Sequence, residues 1–198
     1  MQSIVVYCGS NPGKKPVYAE AAYLLGSELA KRDIRLIYGG GNMGLMGRVA
    51  DGAMENQGFV TGIIPNFLAK LENAHKTLSE LHFVETMHER KAKMVSMSDG
   101  VIALPGGYGT FDELFEILTW SQLRIFNGPV GLLNVNGYYD LLLMQLDKMV
   151  EEGFLHPDNR KLLVVDEVAG MLLEKMEDYR LKNQENKPLD RSLYVDNN

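Results

Sequence analysis

The sequence predicts an α/β protein built on one doubly wound, mainly parallel β-sheet with helices on both faces. Short apolar runs of strand length recur along the chain, and segments of helical composition and spacing separate most of them. This order is largely β-α-β-α, which favours a parallel sheet. The runs are almost continuously apolar rather than alternating, as in strands that helices cover on both sides.

The elements follow one another in a regular order. The predicted strands, each rich in Val, Ile or Leu, cover residues 4–8, 34–38, 59–64, 101–104, 130–133 and 162–165. The predicted helices, which mostly alternate with them, cover residues 17–32, 45–56, 87–98, 111–126, 139–151 and 167–179. Residues 66–81 contain helix formers in an irregular pattern, and we expect a helix plus a loop there.

Length and composition predict a single domain. A chain of 198 residues, of which 45% are hydrophobic, falls in the size range of one core. We expect residues 1–180 to form this domain and residues 181–198, which are polar and rich in Asn, to form a C-terminal tail.

Net charge and cysteine content indicate which partners and which cellular compartment the protein has. The formal net charge of −6 provides no basic face for nucleic acid. Cys8 is the single cysteine, so no internal disulfide forms and a reducing compartment is expected. The first residues lack the pattern of a secretory signal, and no apolar stretch approaches the roughly 18 residues of a membrane span. We therefore expect a cytoplasmic protein without nucleic-acid or membrane partners.

Three glycine-rich turns, at residues 9–13, 39–44 and 106–109, directly follow predicted strands. Ligands bind parallel sheets at the carboxyl ends of strands, so these turns predict one shared crevice. Ser10 lies in the first turn. Because the sequence has no Gly-x-Ser-x-Gly elbow, we interpret Ser10 as a turn residue or phosphate contact and not as a nucleophile.

The turn at residues 39–44 matches the dinucleotide fingerprint Gly-x-Gly-x-x-Gly but fails a second requirement. A bound dinucleotide needs an acidic residue about twenty positions further on, at the end of the next strand. That strand ends with Gly62-Ile63-Ile64-Pro65, without a carboxylate. We therefore expect no NAD enzyme, and the alternative is that these glycines only permit a tight turn and close packing.

The segment at residues 105–110, Pro-Gly-Gly-Tyr-Gly-Thr, is the strongest candidate site. Its glycines leave amide N–H groups open at the start of the next helix, which makes a positively polarised nest for an anion. Thr110 is predicted at or near the N-cap of that helix. The segment lacks the Lys-Ser/Thr ending of a nucleoside-triphosphate loop, so it suits a monophosphate. The alternative is a capped helix without a ligand.

Three carboxylates, Asp112, Glu113 and Glu116, follow this segment. Glu113 is the sharper candidate because one helical turn brings it to the side of Thr110. The favourable interaction of carboxylates with the start of a helix would also explain all three without a ligand.

Two cations, Arg90 and Lys91, come early in the helix that Thr86-x-x-Glu89 opens as a capping box. The helix dipole slightly disfavours cations there, and this small energetic cost indicates that the two cations have a functional role. Arg90 can offer a bidentate fork to a phosphate, and Lys91 a point charge in another direction. The alternative is that both are ordinary surface charges.

Metal and cofactor sites are not indicated. The four histidines show no paired metal-ligand spacing with one another or with Cys8. Nothing marks a lysine and partner acid for pyridoxal phosphate. We therefore expect neither a metal nor a cofactor.

Taken together, these motifs resemble the LOG family of cytokinin riboside 5′-monophosphate phosphoribohydrolases, which have long been mislabelled as lysine decarboxylases. The resemblance rests on residues 8–10, 38–47, 87–91 and 105–113 and covers most of residues 3–178. It implies a Rossmann-like nucleotide-binding domain, a homodimer, and hydrolysis of the N-glycosidic bond of a nucleoside monophosphate to free base and ribose 5-phosphate.

The resemblance also implies roles for single residues. Arg90 and Glu113 match the catalytic residues of the family. The candidate substrate contacts, from the family and from the glycine-rich turns, are Ser10, Gly40, Gly41, Lys91, Gly106, Gly107, Tyr108, Gly109, Thr110 and Thr119. The family glutamate near the base corresponds to Glu72, Glu80 or Glu85, so the preference between isoprenylated adenine and plain AMP stays open.

The helix predicted at residues 111–126 has an apolar surface broader than one core-facing stripe. Its apolar residues are Phe111, Leu114, Phe115, Leu118, Trp120, Leu123 and Phe126. We expect a second buried face on this helix, and therefore a homodimer.

A binding protein is the alternative to an enzyme. A regulatory or carrier protein could keep the nucleotide pocket without turnover. The presence of both Arg90 and Glu113 favours the enzyme, since simple binding needs neither the carboxylate nor that pairing.

Overall fold

Every strand that the structure describes lies in one sheet, and all neighbouring strands run parallel. The computed structural model describes residues 1–69 and 73–183. The strands are β1 (Ser3–Tyr7), β2 (Arg35–Tyr38), β3 (Val60–Pro65), β4 (Glu80–Val84), β5 (Gly100–Ala103), β6 (Val130–Leu133) and β7 (Leu163–Asp166). Their order in the sheet is β4-β3-β2-β1-β5-β6-β7.

Helices cover both faces of this sheet, which confirms the predicted doubly wound α/β class. The helices are α1 (Pro16–Lys31), α2 (Gly44–Glu55), α3 (Met87–Ser96), α4 (Tyr108–Gln122), α5 (Asp140–Glu151), α6 (Pro157–Arg160) and α7 (Ala169–Asn183). One core cluster contains side chains of α1, α2 and α7, and the other contains side chains of α3, α4 and α5. No helix in the described ranges has the length and apolar character of a membrane span.

The direction of the chain reverses at the centre of the sheet. From β1 the chain moves outward to β4, and it then returns to place β5 on the other side of β1. In β1, Val6 pairs with Tyr38 of β2 and with Ile102 of β5. Such a reversal leaves a crevice at the carboxyl ends of the two central strands, because their loops turn away in opposite directions.

The six predicted strands are present, each with bounds within one residue of the prediction. The helices agree less well at their ends. Helix α4 was predicted at 111–126 but spans Tyr108–Gln122, because it begins inside the glycine-rich segment and Arg124 follows it with a left-handed φ of 56°. Helix α7 was predicted at 167–179 and continues to Asn183, so only residues 184–198 of the predicted tail lie outside the described part.

Of the helix plus loop predicted at residues 66–81, the loop is present, but the described residues contain no helix and end in a strand. The described residues 66–69 and 73–79 form turns and loops, and β4 begins at Glu80. This strand lies at the edge of the sheet and is only partly buried, so Glu80 and His82 interrupt the apolar run that identified the other strands. The single-turn helix α6 was also not predicted.

Helices α1 and α2 approach closely through two glycines. A Cβ atom added to Gly26 of α1 would clash with the carbonyl oxygen of Val49, and one added to Gly52 of α2 would clash with that of Tyr23. In both cases the neighbour is backbone, which cannot rotate away. The two helices therefore pack backbone to backbone on their face of the sheet.

We expect Gly26→Ala and Gly52→Ala each to lower the free energy of unfolding by about 1–3 kcal/mol, because the added methyl group forces the helices apart. Urea denaturation measures the loss. Gly170→Ala is the matched control, since its Cβ would meet only the ends of the Arg32 and Glu28 side chains, at 3.5 and 3.8 Å. In that helix alanine should add about 0.5–1 kcal/mol. Equal stability of all three variants would contradict the close approach.

Candidate active site

The loops after β1, β2 and β5 meet at one edge of the sheet, as the three glycine-rich turns predicted. The amide of Gly9 donates to the carbonyl of Pro105 at 3.0 Å, which joins the loops after β1 and β5. The amide of Leu45 donates to the carbonyl of Gly9 at 3.0 Å, which joins the loops after β1 and β2. The main chain of Ser10 lies against Gly44, where a side chain would clash with it. The three turns therefore form one crevice.

Residues 105–109, called the glycine loop below, lead directly into α4. The helix begins at Tyr108 with Gly107 as its N-cap, and this residue has no side chain that could cap the first amides. A Cβ atom added to Gly107 or Gly109 would have no neighbour within 4 Å, and the side chain of Tyr108 is 98% exposed. The first amides of α4, with the positive end of the helix dipole, thus face open space that an anion can enter.

Thr110 lies near the N-cap, as the sequence predicts, but the N-cap itself is Gly107. Thr110 is the third residue of α4 and is buried. Its hydroxyl lies directly against Gly106, where any Cβ atom would collide with it. The side chain of Thr110 therefore supports the glycine loop from inside the protein.

Two consecutive tyrosines also hold the glycine loop. The hydroxyl of Tyr138 donates to the carbonyl of Gly106 at 2.6 Å, and that of Tyr139 donates to the carbonyl of Leu104 at 2.7 Å. Burial raises the pKa of Tyr139 well above its usual value, so this hydroxyl stays a donor. Sequence reasoning missed both residues. Their position after β6, at the same edge of the sheet, was the available signal.

Arg90 is buried at the ends of β2 and β3. Its Nε donates to the carbonyl of Ile63 at 3.1 Å and its Nη2 to the carbonyl of Gly39 at 2.9 Å. The Sδ atom of Met87 lies 3.9 Å from Nη1. Gly39 must be glycine here, since a Cβ atom would overlap the guanidinium. Arg90 is therefore not an ordinary surface charge but a fixed group at the edge of the crevice.

Glu113 of α4 acts on the same region as Arg90. The pKa of Tyr7, the last residue of β1, is raised first by burial and then by the charges of Glu113 and Glu116, whereas the charge of Arg90 opposes the shift. The charges of both predicted catalytic side chains, one on α3 and the other on α4, therefore act on the last residue of β1.

Lys91 is buried between α3 and α4 rather than exposed. Its Nζ donates to Asp112 Oδ2 at 3.1 Å and to Glu116 Oε1 at 3.0 Å. Burial alone would lower the pKa of Lys91, but the hydrogen bonds and charges of Glu116 and Asp112 outweigh it and raise the pKa overall. Lys91 therefore remains a cation that links the two helices.

The remaining candidates lie at different distances from the glycine loop. Gly40 and Gly41 follow β2 at the same edge. The carbonyl of Gly40 accepts from the amide of His75 at 2.9 Å, and Gly41 forms an isolated bridge with Ala74.

Thr119 lies in the second half of α4, about 16 Å along the axis from its first residue. Its hydroxyl donates to the carbonyl of Phe115 at 2.8 Å, so this chain does not bring Thr119 to the loop.

Of the three glutamates considered for the base, Glu85 lies at this edge. It follows β4, and its Oε1 accepts from Asn66 Nδ2 at 2.8 Å. Glu80 is the first residue of the same strand and therefore lies at the amino-terminal end, away from the crevice. Its Oε2 accepts a hydrogen bond from the hydroxyl of Thr61. Glu72 lies outside the described residues. Within the described ranges, no three His, Cys, Asp or Glu side chains are grouped so that they could hold a metal ion.

Sequence comparison gives consistent relatives over most of the chain. A family model described as "Possible lysine decarboxylase" matches residues 46–176. The probable cytokinin riboside 5′-monophosphate phosphoribohydrolase LOGL5 of Oryza sativa subsp. japonica is 51% identical over 176 residues, which are 89% of this chain and 72% of that protein. The cytokinin riboside 5′-monophosphate phosphoribohydrolase LOG3 of Arabidopsis thaliana is also 51% identical, over 89% of this chain and 82% of its own length.

Solved structures share the fold at lower sequence identity. A molybdenum cofactor binding protein from Rippkaea orientalis superposes with a TM-score of 0.68 and 22% identity, over 90% of this chain and 97% of that chain. The Moco carrier protein from Chlamydomonas reinhardtii gives a TM-score of 0.66 and 17% identity, over 91% and 98% of the two chains. At these identities the similarity establishes the Rossmann-like fold alone.

We expect Tyr138→Phe to weaken the binding of inorganic phosphate about fivefold to tenfold, because the carbonyl of Gly106 loses the donor that fixes the glycine loop. The ring and its contacts with Tyr18 and Tyr139 are kept. Titration calorimetry measures the affinity. Tyr23→Phe is the control, since it removes a hydroxyl that bonds Glu55 at 2.6 Å away from the loop. Equal affinities for the two variants would refute a role of Tyr138 in the loop.

Proposed function

The chain belongs to the LOG family of cytokinin riboside 5′-monophosphate phosphoribohydrolases, and we propose that it hydrolyses the N-glycosidic bond of a cytokinin or adenosine 5′-monophosphate. The observation that supports this proposal is that the charges of Arg90 and Glu113 both act on Tyr7 at the carboxyl end of β1, the end of the sheet from which the glycine loop leads into α4. The description of the matching family model as a possible lysine decarboxylase weighs less than identities of about half over most of the chain to curated phosphoribohydrolases.

The glycine loop is the proposed site for the 5′-phosphate. The first amides of α4 can donate to its oxygens, and the helix dipole favours its charge. The exposed Ser10 and the buried Gly40 and Gly41 lie in the turns that border the same crevice, and all three are proposed as further substrate contacts. A phosphate held there leaves the ribose directed along the crevice towards Arg90 and Glu113.

The reaction adds water to the anomeric carbon of the ribose. The bond from this carbon to the base nitrogen breaks, and the base leaves with the bonding electrons and takes up a proton. Positive charge develops on the ribose, so the carboxylate of Glu113 can stabilise it or accept a proton from the attacking water. Two carbonyls fix the plane of Arg90, and its guanidinium can hold the phosphate or ribose in register.

The far end of the crevice suits an apolar substituent on the base. Met43, Phe67 and Met87 follow β2, β3 and β4, and each exposes more than a third of its surface. Glu85 lies at the same edge and supports a base bound there. These side chains favour an isopentenyl group on adenine over the unsubstituted base.

Base release is the direct test. We expect the purified protein, without added metal, to release base from isopentenyladenosine 5′-monophosphate and more slowly from AMP, as followed by chromatography. Glu113→Gln and Arg90→Ala should each lower kcat at least about a hundredfold, because they remove transition-state contacts. Glu20→Gln, an exposed carboxylate on α1, is the control and should leave the rate unchanged. Tight AMP binding without base release would instead support a nucleotide-binding regulatory or carrier protein.

A homodimer is part of the proposal. Phe115 on α4 and Leu123 directly after it are exposed, whereas Leu114 is buried in the core. On the neighbouring α5, Leu141 and Met144 are 79% and 66% exposed. A second copy that covers these side chains would remove a large apolar surface from water.

Light scattering tests this association. We expect a mass of about twice the 22.2 kDa chain at micromolar concentration, and a shift to the single-chain mass in Leu141→Asp/Met144→Asp, because two buried charges would oppose contact. Leu24→Asp is the control, since Leu24 is half exposed on α1, across the sheet from α4 and α5. A wild-type protein with the mass of one chain would contradict the dimer.

A cytoplasmic location fits this function. Cys8 is the single cysteine in the sequence, so the fold needs no oxidising compartment. The substrates, nucleoside monophosphates, are also intracellular metabolites by virtue of their charged phosphate, which does not cross a bilayer unaided.

A further inference from the structure

Lys91 and Arg90 are neighbours on α3, yet they anchor the helix to different parts of the protein. Successive residues on a helix point about 100° apart. Arg90 reaches back to the carbonyls of Gly39 and Ile63 at the strand ends. Lys91 reaches across to Asp112 and Glu116 on α4. Helix α3 is therefore fixed to the sheet by one cation and to α4 by the next.

The two partners of Lys91 flank Glu113 on α4. Asp112 precedes it in the chain, and Glu116 lies one turn further along the same helix. The negative charges of Asp112 and Glu116 lie close to Glu113 and, if unbalanced, oppose its negative charge. The ammonium of Lys91 offsets this repulsion through its ion pairs with both carboxylates, of which Glu116 is the less exposed partner and Asp112 the more exposed one.

Resting on the proposed function, we propose that Lys91, together with Asp112 and Glu116, is a positioning residue that acts through Glu113. The three side chains, called the α3–α4 clamp, set the separation of the helices that carry Arg90 and Glu113 and keep Glu113 ionised. Lys91 then makes no direct contact with the phosphate. The resemblance to the family implied the opposite role, a nucleotide contact.

The charges around Glu113 come from three elements. Arg90 of α3 and Glu113 both act on the Tyr7 phenol of β1, while Asp112 and Glu116, on the same helix as Glu113, bind Lys91 of α3. Removal of the Lys91 charge leaves two carboxylates beside Glu113 that no longer have their cation. Glu113 should then stay protonated up to a higher pH than in the wild-type protein. Because the protonated form is inactive in the proposed reaction, the loss of activity on acidification should begin at a higher pH.

Three variants test the clamp with isopentenyladenosine 5′-monophosphate as substrate. In Lys91→Met we expect kcat to fall about tenfold, KM to stay within about twofold, and the acidic limb of the kcat pH profile to move up by about one pH unit. Lys91→Met/Asp112→Asn/Glu116→Gln removes the uncompensated carboxylates and should return the acidic limb to its wild-type position. Lys91→Arg can bridge both carboxylates and should retain most of kcat.

A direct phosphate contact gives a different result. The KM of Lys91→Met and its dissociation constant for inorganic phosphate would then rise about tenfold or more, the acidic limb would not move, and the triple variant would not recover. That pattern would overturn the proposal. A loss of kcat that the triple variant does not reverse, with no movement of the acidic limb, would reduce the clamp to a merely structural link and would also overturn it.

Unfolding separates this inference from the proposed function. Urea midpoints of Lys91→Met, of Asp112→Asn/Glu116→Gln and of their combination form a double-mutant cycle. Non-additive losses show that the three side chains act as one unit, which the clamp requires, even if the wild-type protein releases no base and the proposed function fails. Additive losses overturn the clamp, even if base release is observed.

Discussion

The guanidinium of Arg90 is buried between two strand ends, and the rest of the site is arranged around it. Inside a protein such a charge is tolerated only when hydrogen bonds replace the lost water. The carbonyls of Gly39 and Ile63 supply these bonds. They are available because β2 and β3 end side by side, and the guanidinium fits because Gly39 has no side chain. The position of α3 follows, since Arg90 can reach both carbonyls only if its helix begins beside β3.

Helix α4 offers two regions of opposite charge to the proposed substrate. Its first amides, at Gly107 and beyond, carry the partial positive charge that a phosphate needs. Glu113 lies about 9 Å further along the axis, a separation on the scale of one sugar phosphate. An anionic group and a ribose that develops positive charge can therefore each meet the opposite charge on a single rigid element. This arrangement needs no rearrangement of the protein at the moment of reaction.

Local sequence patterns predicted the fold well and the contacts of the site poorly. Strands buried on both faces are apolar runs, and each was located to within one residue, whereas the edge strand β4 was missed because Glu80 and His82 interrupt its pattern. The start of α4 was placed late because Gly107-Tyr108-Gly109 resembles a loop. The fit of Gly39 to Arg90 joins residues 51 positions apart, and the bond from Tyr138 to Gly106 joins residues 32 apart. Such pairings arise from the tertiary fold, and no local pattern contains them.

Tyr138 and Tyr139 stand between the glycine loop and the start of α5, the helix that carries Leu141 and Met144. Their hydroxyls hold the loop, and the helix that follows them contributes to the proposed contact between copies. If dimer formation fixes the position of Tyr138, it also fixes the glycine loop, and the binding of phosphate to that loop becomes more favourable. By thermodynamic reciprocity, a phosphate that orders the loop must strengthen assembly by the same factor as assembly strengthens phosphate binding. The turnover rate per chain would then depend on protein concentration, and it would fall when dilution dissociates the proposed dimer.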